Sequence, residues 1–251
     1  MFQCSNVPMI IFMTKRQEEI FKIILGEYVK TAQAVSSEYL SAKLEPKVSS
    51  ATIRAEMVDL AQQGYLWQEH TSAGRTPTLK GFRYFVSHLL PKAGMAPKSE
   101  KKKLEKVRPK NFDQLTLAKE LVKEIACLSG ELGILKFDDN SFYYTGFARL
   151  FGQPEFQNAL ILQEFSQIVD HLDAIMLDLF DSIGGETQIL MGEKNLFSGS
   201  CSAILTRCNL LGSVDCGLIG ILGPIRMNYN RNLALIESVK EIINEELIFE
   251  D

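Results

Sequence analysis

The stretch PKAGMAPKSEKKKLEKVRPKN, residues 91–111, divides the chain. It holds three prolines and seven lysines, and its apolar residues are few and scattered. No continuous apolar face runs through such a segment, so the parts on either side need separate cores. It reads as a solvated linker, with a basic tail that tracks DNA as the sharper alternative. The charge balance also changes there. Residues 1–92 carry 11 Lys+Arg against 8 Asp+Glu, whereas the full chain has 27 against 31. A net positive part therefore precedes a net negative one, on a chain of formal charge -4. That total excludes blanket nucleic-acid binding, but a local basic patch acts over about 8–10 Å regardless.

The composition, 46% hydrophobic and 23% charged, is that of a globular protein. Five cysteines, an odd number with no CxxC pair, fit a reducing compartment, and a cytoplasmic location is expected. The run VPMIIFM (7–13) is too short for a membrane span and has no cationic segment before it. The expected division is a tail or start-site extension over 1–13, a first domain over 14–90, the linker over 91–111 and a second domain over 112–251.

In the first domain, Thr14 is placed to cap a helix running to about Lys30, with Ile20, Ile23, Ile24 and Tyr28 at helical spacing. A short helix starts near Ser36–Ser37 and ends before Pro46. The third, SSATIRAEMVDLAQQG, has Ser49 or Ser50 as its cap and Ile53, Met57 and Leu60 as its stripe, and it stops at Gly64. YLWQEH alternates as a short strand, and TSAGRTPT follows as a Gly- and Pro-containing loop. Thr78 then caps a fourth helix, with Phe82, Phe85, Val86 and Leu89 inward. This is the element order of a winged helix-turn-helix.

The second domain reads differently. FDQLTLAKELVKEIACL is an amphipathic helix, and ELGILKFDDNSFYYTGF is two strands about an Asp-Asp-Asn turn. One long apolar helix is expected over about 157–182. QILMG, SAILTRCNL and CGLIGILGPI read as strands, and a last helix spans about Tyr229 to Leu247. Antiparallel strands flanked by helices make the fold class α+β.

On the third helix, Ser50, Thr52, Arg54 and Ala55 flank or oppose the apolar stripe. Short hydroxyls at a helix N-terminus suit phosphates, and an Arg in the next turn can fork onto guanine. The bland alternative is a capped helix with a solvated Arg. Arg75 lies between Gly74 and Pro77, where a wing tip could meet phosphate or the minor groove. No acid occurs from Thr71 to Lys92, against Arg75, Lys80, Arg83 and Lys92. His70, His88 and His171 are scattered, and Asp170, His171 and Asp173 read as a solvated face rather than a metal site. Cys201, Cys208 and Cys216 read as small buried hydrophobes. No P-loop, GxSxG or HExxH occurs. Neither an enzyme activity, a cofactor nor a metal is expected.

SSATIRAEM (49–57), GYLWQEHTSAGRTPT (64–78) and KGFRYFV (80–86) resemble the signature of the heat-inducible transcription repressor HrcA family. TGFARLFGQPEF (145–156), MGEKN (191–195) and GILGPIRMNY (220–229) resemble its later motifs in the same order. The resemblance implies an N-terminal winged helix-turn-helix domain and a C-terminal GAF-like α/β sandwich domain. It implies a homodimer that represses chaperone operons by binding an inverted-repeat operator in double-stranded DNA. It further implies release on heat stress and a GroEL-type chaperonin as partner, with no membrane association. The matching DNA-contact positions are Ser49, Ser50, Thr52 and Arg54, then His70, Thr71, Ser72, Arg75, Lys80 and Arg83. A regulator of other genes gated by a ligand in the GAF-like domain is the alternative. Two departures stand out. The family usually has Asn where this chain has Ala55, and only about fifty residues separate Lys92 from Thr145, so most of an inserted dimerising region is missing.

Overall fold

The computed structural model of the chain describes residues 12–70, 73–91, 97–107, 113–138, 141–192, 200–210 and 213–246. They fall into two compact units, one ending at Leu89 and one beginning at Leu90. Helices and antiparallel sheets occur together, and the fold class is α+β as expected.

Unit 1 starts with α1 (Lys15–Thr31), α2 (Ser37–Lys43) and α3 (Ser50–Gln62). Each begins where a hydroxyl accepts from an amide that the helix leaves free. Thr14 accepts from the Gln17 amide, and the Gln17 side chain returns the bond in a capping box. Ser36 accepts from Tyr39 and Ser49 from Thr52. The stripes meet in one core, in which Ile20, Phe21, Ile24, Leu40, Ile53 and Leu60 are sealed from solvent. A two-stranded antiparallel hairpin follows, β1 (Leu66–Trp67) with β2 (Thr76–Pro77). Its return limb also bridges Val35 through Arg75, which ties the hairpin to the segment before α2.

Thr78 caps α4 (Leu79–Tyr84), and a π-helical turn over Phe85–Leu89 succeeds it. The wider turn changes which side chains face inward. Tyr84 is buried against Tyr65, whereas Phe85, Val86 and Leu89, all expected inward, are only partly covered. Met13, assigned to the tail, is buried in this unit, and its amide donates to the Tyr84 hydroxyl at 3.3 Å.

Unit 2 holds a five-stranded antiparallel sheet in the order β4-β3-β7-β6-β5. The strands are β3 (Leu132–Asp138), β4 (Ser141–Thr145), β5 (Gln188–Met191), β6 (Cys201–Leu210) and β7 (Ser213–Pro224). The tip of the β3–β4 turn lies outside the described residues. Helices α6 (Gln114–Ser129) and α10 (Tyr229–Glu246) pack on each other and on the sheet. After the short α7 (Phe147–Leu150) come α8 (Ala159–Asp170) and α9 (Leu172–Ser182). Their Phe165, Ile168, Leu172, Met176 and Leu179 cluster with Leu132, Ile134, Ala203, Leu205, Leu218 and Leu222 of the sheet. Alternation along the strands supplies that face. Cys201 and Cys208 are buried, and the Cys216 side chain lies outside the described residues.

Two sequence expectations are corrected here. The single helix over 157–182 is two helices that break at His171, where φ is -119° and ψ 13°. The break aims both apolar stripes at the same core. The expected linker contains α5 (Lys98–Glu105), a helix of unit 2. Leu104 is fully buried, and Glu100 forks onto the Arg231 guanidinium of α10 at 2.6–3.1 Å. One apolar residue and a bidentate pair thus dock a segment whose composition reads as solvent-borne.

One acid is sealed inside unit 2. Glu131 is 3% exposed, and its Oε2 accepts from Gln153 Nε2 at 2.9 Å. A Cβ on Gly223 would stand 2.0 Å from that oxygen, so glycine is what leaves room for the carboxyl. Arg226 stands nearby, ion-paired with Glu155 and 3.5 Å from the Gln153 amide oxygen. Burial pushes the Glu131 carboxyl up to about 8.

Candidate nucleic-acid interface

The start of α3 is built to be presented. Ile53, Met57 and Leu60 point into the core, which leaves Arg54 and Ala55 exposed and Ser50 and Thr52 partly so. Ser49 Oγ accepts from the Thr52 amide at 3.2 Å and lies 2.9 Å from the Thr52 hydroxyl. Ser50 Oγ donates to Ser37 Oγ of α2 at 3.3 Å. Four of the sequence-predicted contact residues, Ser49, Ser50, Thr52 and Arg54, therefore occupy one helix end, and the Arg54 side chain leaves it about two-thirds exposed. Nη2 of Arg54 lies 3.3 Å from Glu38 Oε1.

Arg75 does not stand at a loop tip. It is 8% exposed, and its Nη1 donates to the Met57 carbonyl at 2.7 Å. Desolvation lowers its pKa from the ordinary arginine value. The guanidinium braces the hairpin against α3 from inside. Gly74 has a matching role, since a Cβ there would come within 2.7 Å of the Val35 backbone. The glycine allows the hairpin to approach its own chain.

The other expected residues divide. Lys80 Nζ donates to the Gln63 carbonyl at 2.7 Å and stands 4.7 Å over the Tyr65 ring, so this exposed cation also caps the C-terminal end of α3. His70 is exposed and Arg83 half-buried. Thr71 and Ser72 lie outside the described residues. A cleft of about 440 Å³ opens between α2, α3 and the hairpin. Glu38 and Arg54 line it together with Ser36, Val58, Gln68 and Arg75.

Sequence reasoning passed over three residues at this surface. Trp67 on β1 is 64% exposed and Val58 on α3 is 38% exposed. Within β1 Leu66 is buried and Trp67 is out, but Tyr65, buried just before it, breaks the alternation of YLWQEH, so period alone did not signal the first. Glu38 was also missed, because nothing in the order of residues ties α2 to Arg54.

Among the described residues no helix is long and apolar enough to cross a membrane. The chain aligns with the heat-inducible transcription repressor HrcA of Acetivibrio thermocellus at 26% identity over 339 residues, covering 94% of this chain and 96% of that protein. The same-named protein of Mesoplasma florum is 49% identical over 78 residues, 31% of this chain and 23% of the relative. The first alignment is longer than the chain itself, 339 against 251 residues, so that relative carries a long stretch with no counterpart here. The fold is similar to that in a crystal structure of a hypothetical protein at 2.2 Å resolution, with a TM-score of 0.78 at 16% identity, covering 94% of this chain and 99% of that one. The family model for the HrcA protein C-terminal domain matches residues 92–233. More than half of the sequence thus meets that model, and the chain belongs to the HrcA family.

Proposed function

We propose that this protein is a transcription repressor whose unit 1 acts as a winged helix on double-stranded DNA. The observation that carries the reading is the start of α3, where three buried apolar residues leave Arg54 and Ala55 outward beside a hydroxyl-capped N-terminus. That is the equipment of a helix that enters a major groove: amides and hydroxyls for phosphates, one forked donor for a base. In this reading Ser49, Ser50 and Thr52 meet the backbone and Arg54 meets a base edge. The β1–β2 hairpin is the wing, with His70 toward its tip and Lys80 and Arg83 behind it. Arg75 acts indirectly, by fixing the wing on α3. Ala55 offers only a methyl, which suits a thymine methyl rather than an adenine edge.

The names of the relatives support repression and heat induction. We extend the reading to a cytoplasmic homodimer on an inverted repeat, with two α3 helices separated by about one or two turns, in multiples of roughly 34 Å. Heat releases it, and a GroEL-type chaperonin restores it. The test is a gel shift of the whole chain on inverted-repeat DNA with excess unrelated competitor. Retention of a two-copy complex supports the reading. Loss of the shift to competitor at equal mass overturns it.

A further inference from the structure

One acidic side chain sits where an approaching polyanion would meet it. Glu38 lies in the first turn of α2, and its Oε1 is 3.3 Å from Arg54 Nη2, with both side chains about two-thirds exposed (68% and 66%). Ser37 Oγ donates to the same oxygen at 3.1 Å, and Ser50 Oγ donates to Ser37. A continuous polar path therefore runs from the N-terminus of α3 through α2 and back to Arg54. The Glu38 backbone amide first, then Ser36 and Ser37, hold its carboxyl below the usual carboxylate range, so it is charged at neutral pH.

We infer that Glu38 is a specificity-determining positioning residue, one that holds Arg54 for a base edge and keeps it off phosphates. The inference rests on the reading of α3 as the DNA-contacting helix. Its physical basis is the difference between the two targets. A phosphate that reaches Arg54 here also meets the Glu38 carboxylate, and like charges repel. A guanine edge is neutral and offers two acceptors in the fork geometry. The pair with Glu38 uses one of the five guanidinium N–H groups, and the others stay available to a base. Exposed ion pairs are weak, so the hold orients Arg54 without locking it. A carboxylate retained beside a DNA-reading arginine lowers affinity for all DNA and lowers it most where only phosphates are on offer.

The experiment uses the whole chain, a cognate duplex that it enriches from a random pool, and a scrambled duplex. Glu38→Gln keeps shape and removes charge. It should raise affinity for scrambled DNA about two- to fivefold, raise cognate affinity less, and steepen the salt dependence on scrambled DNA by about one counterion. Glu38→Asp, which keeps the charge, should preserve the cognate-to-scrambled ratio. In an Arg54→Met background, Glu38→Gln should change both duplexes by one common factor. An unchanged ratio for Glu38→Gln alone, or the same fall in ratio with Arg54→Met present, overturns the role of Glu38. The underlying reading fails separately, if Arg54→Met by itself weakens cognate and scrambled binding equally or if no sequence is enriched.

Discussion

The polar groups at the start of α3 and those around Glu131 follow opposite designs. At α3 the charges are exposed and adjustable: Arg54 and Glu38 face water at 3.3 Å from each other. Around Glu131 a carboxyl is sealed, held by the Gln153 amide and fitted against a glycine. Exposed pairs contribute little to stability because water and salt compete for them. Buried polar groups are costly to place and costly to disturb. The first region is therefore free to exchange partners, and the second loses stability when its protonation or packing is disturbed.

The largest test of that contrast is pH. Glu131 has an ordinary value near 4.5 when unfolded and about 8 when folded. Below about pH 4.5 both states hold the proton, and its contribution is fully present. As pH rises toward 8 only the folded state still holds it, so stability falls, by up to about 1.4 kcal/mol per pH unit. Denaturant midpoints of unit 2 should decline between pH 5 and 8, and Glu131→Gln should flatten the curve. Parallel curves for the two proteins would remove Glu131 as the cause.

Arg75→Ala ranks next. It removes a buried guanidinium and its bond to the Met57 carbonyl, and about 2–3 kcal/mol of unit 1 stability should go with it. Amide exchange in α3 and the hairpin should accelerate together, whereas a purely DNA-facing arginine would leave both untouched. Ser49→Ala should cost about 1 kcal/mol through loss of the α3 cap, read as faster exchange confined to the first turn of α3. Arg54→Ala should be smallest on the fold, within about 0.5 kcal/mol by calorimetry. On DNA its effect reverses rank, with a loss of about 1–3 kcal/mol on the preferred site alone. An Arg54→Ala protein that melts as early as Arg75→Ala would erase the distinction between the two arginines.

What the sequence disclosed follows the range of the forces involved. The starts of α1, α2 and α3 were legible because Thr14, Ser36 and Ser49 bond to amides only three residues on. The strands of unit 2 were legible from their apolar runs. The placement of Arg75 was not, because the Val35–Arg75 bridge and the bond to Met57 join residues 40 and 18 apart along the chain, respectively. The same reason hid α5, whose only buried side chain is Leu104 and whose anchor, Arg231, is supplied by α10. The break at His171 carries neither glycine nor proline, so local punctuation did not announce it. Within the candidate site, the outward face of α3 was readable from period alone, while its pairing with Glu38 needed the fold.

Trp67 has a practical consequence. It is the one tryptophan in the full sequence, it lies on β1 of the hairpin, and it is 64% exposed. The chain therefore carries a native optical reporter with no background from a second indole. A partner that covers the hairpin changes the emission of that ring, and one that docks elsewhere leaves it alone. Titrations can follow occupancy of this face in unlabelled protein across a range of temperatures.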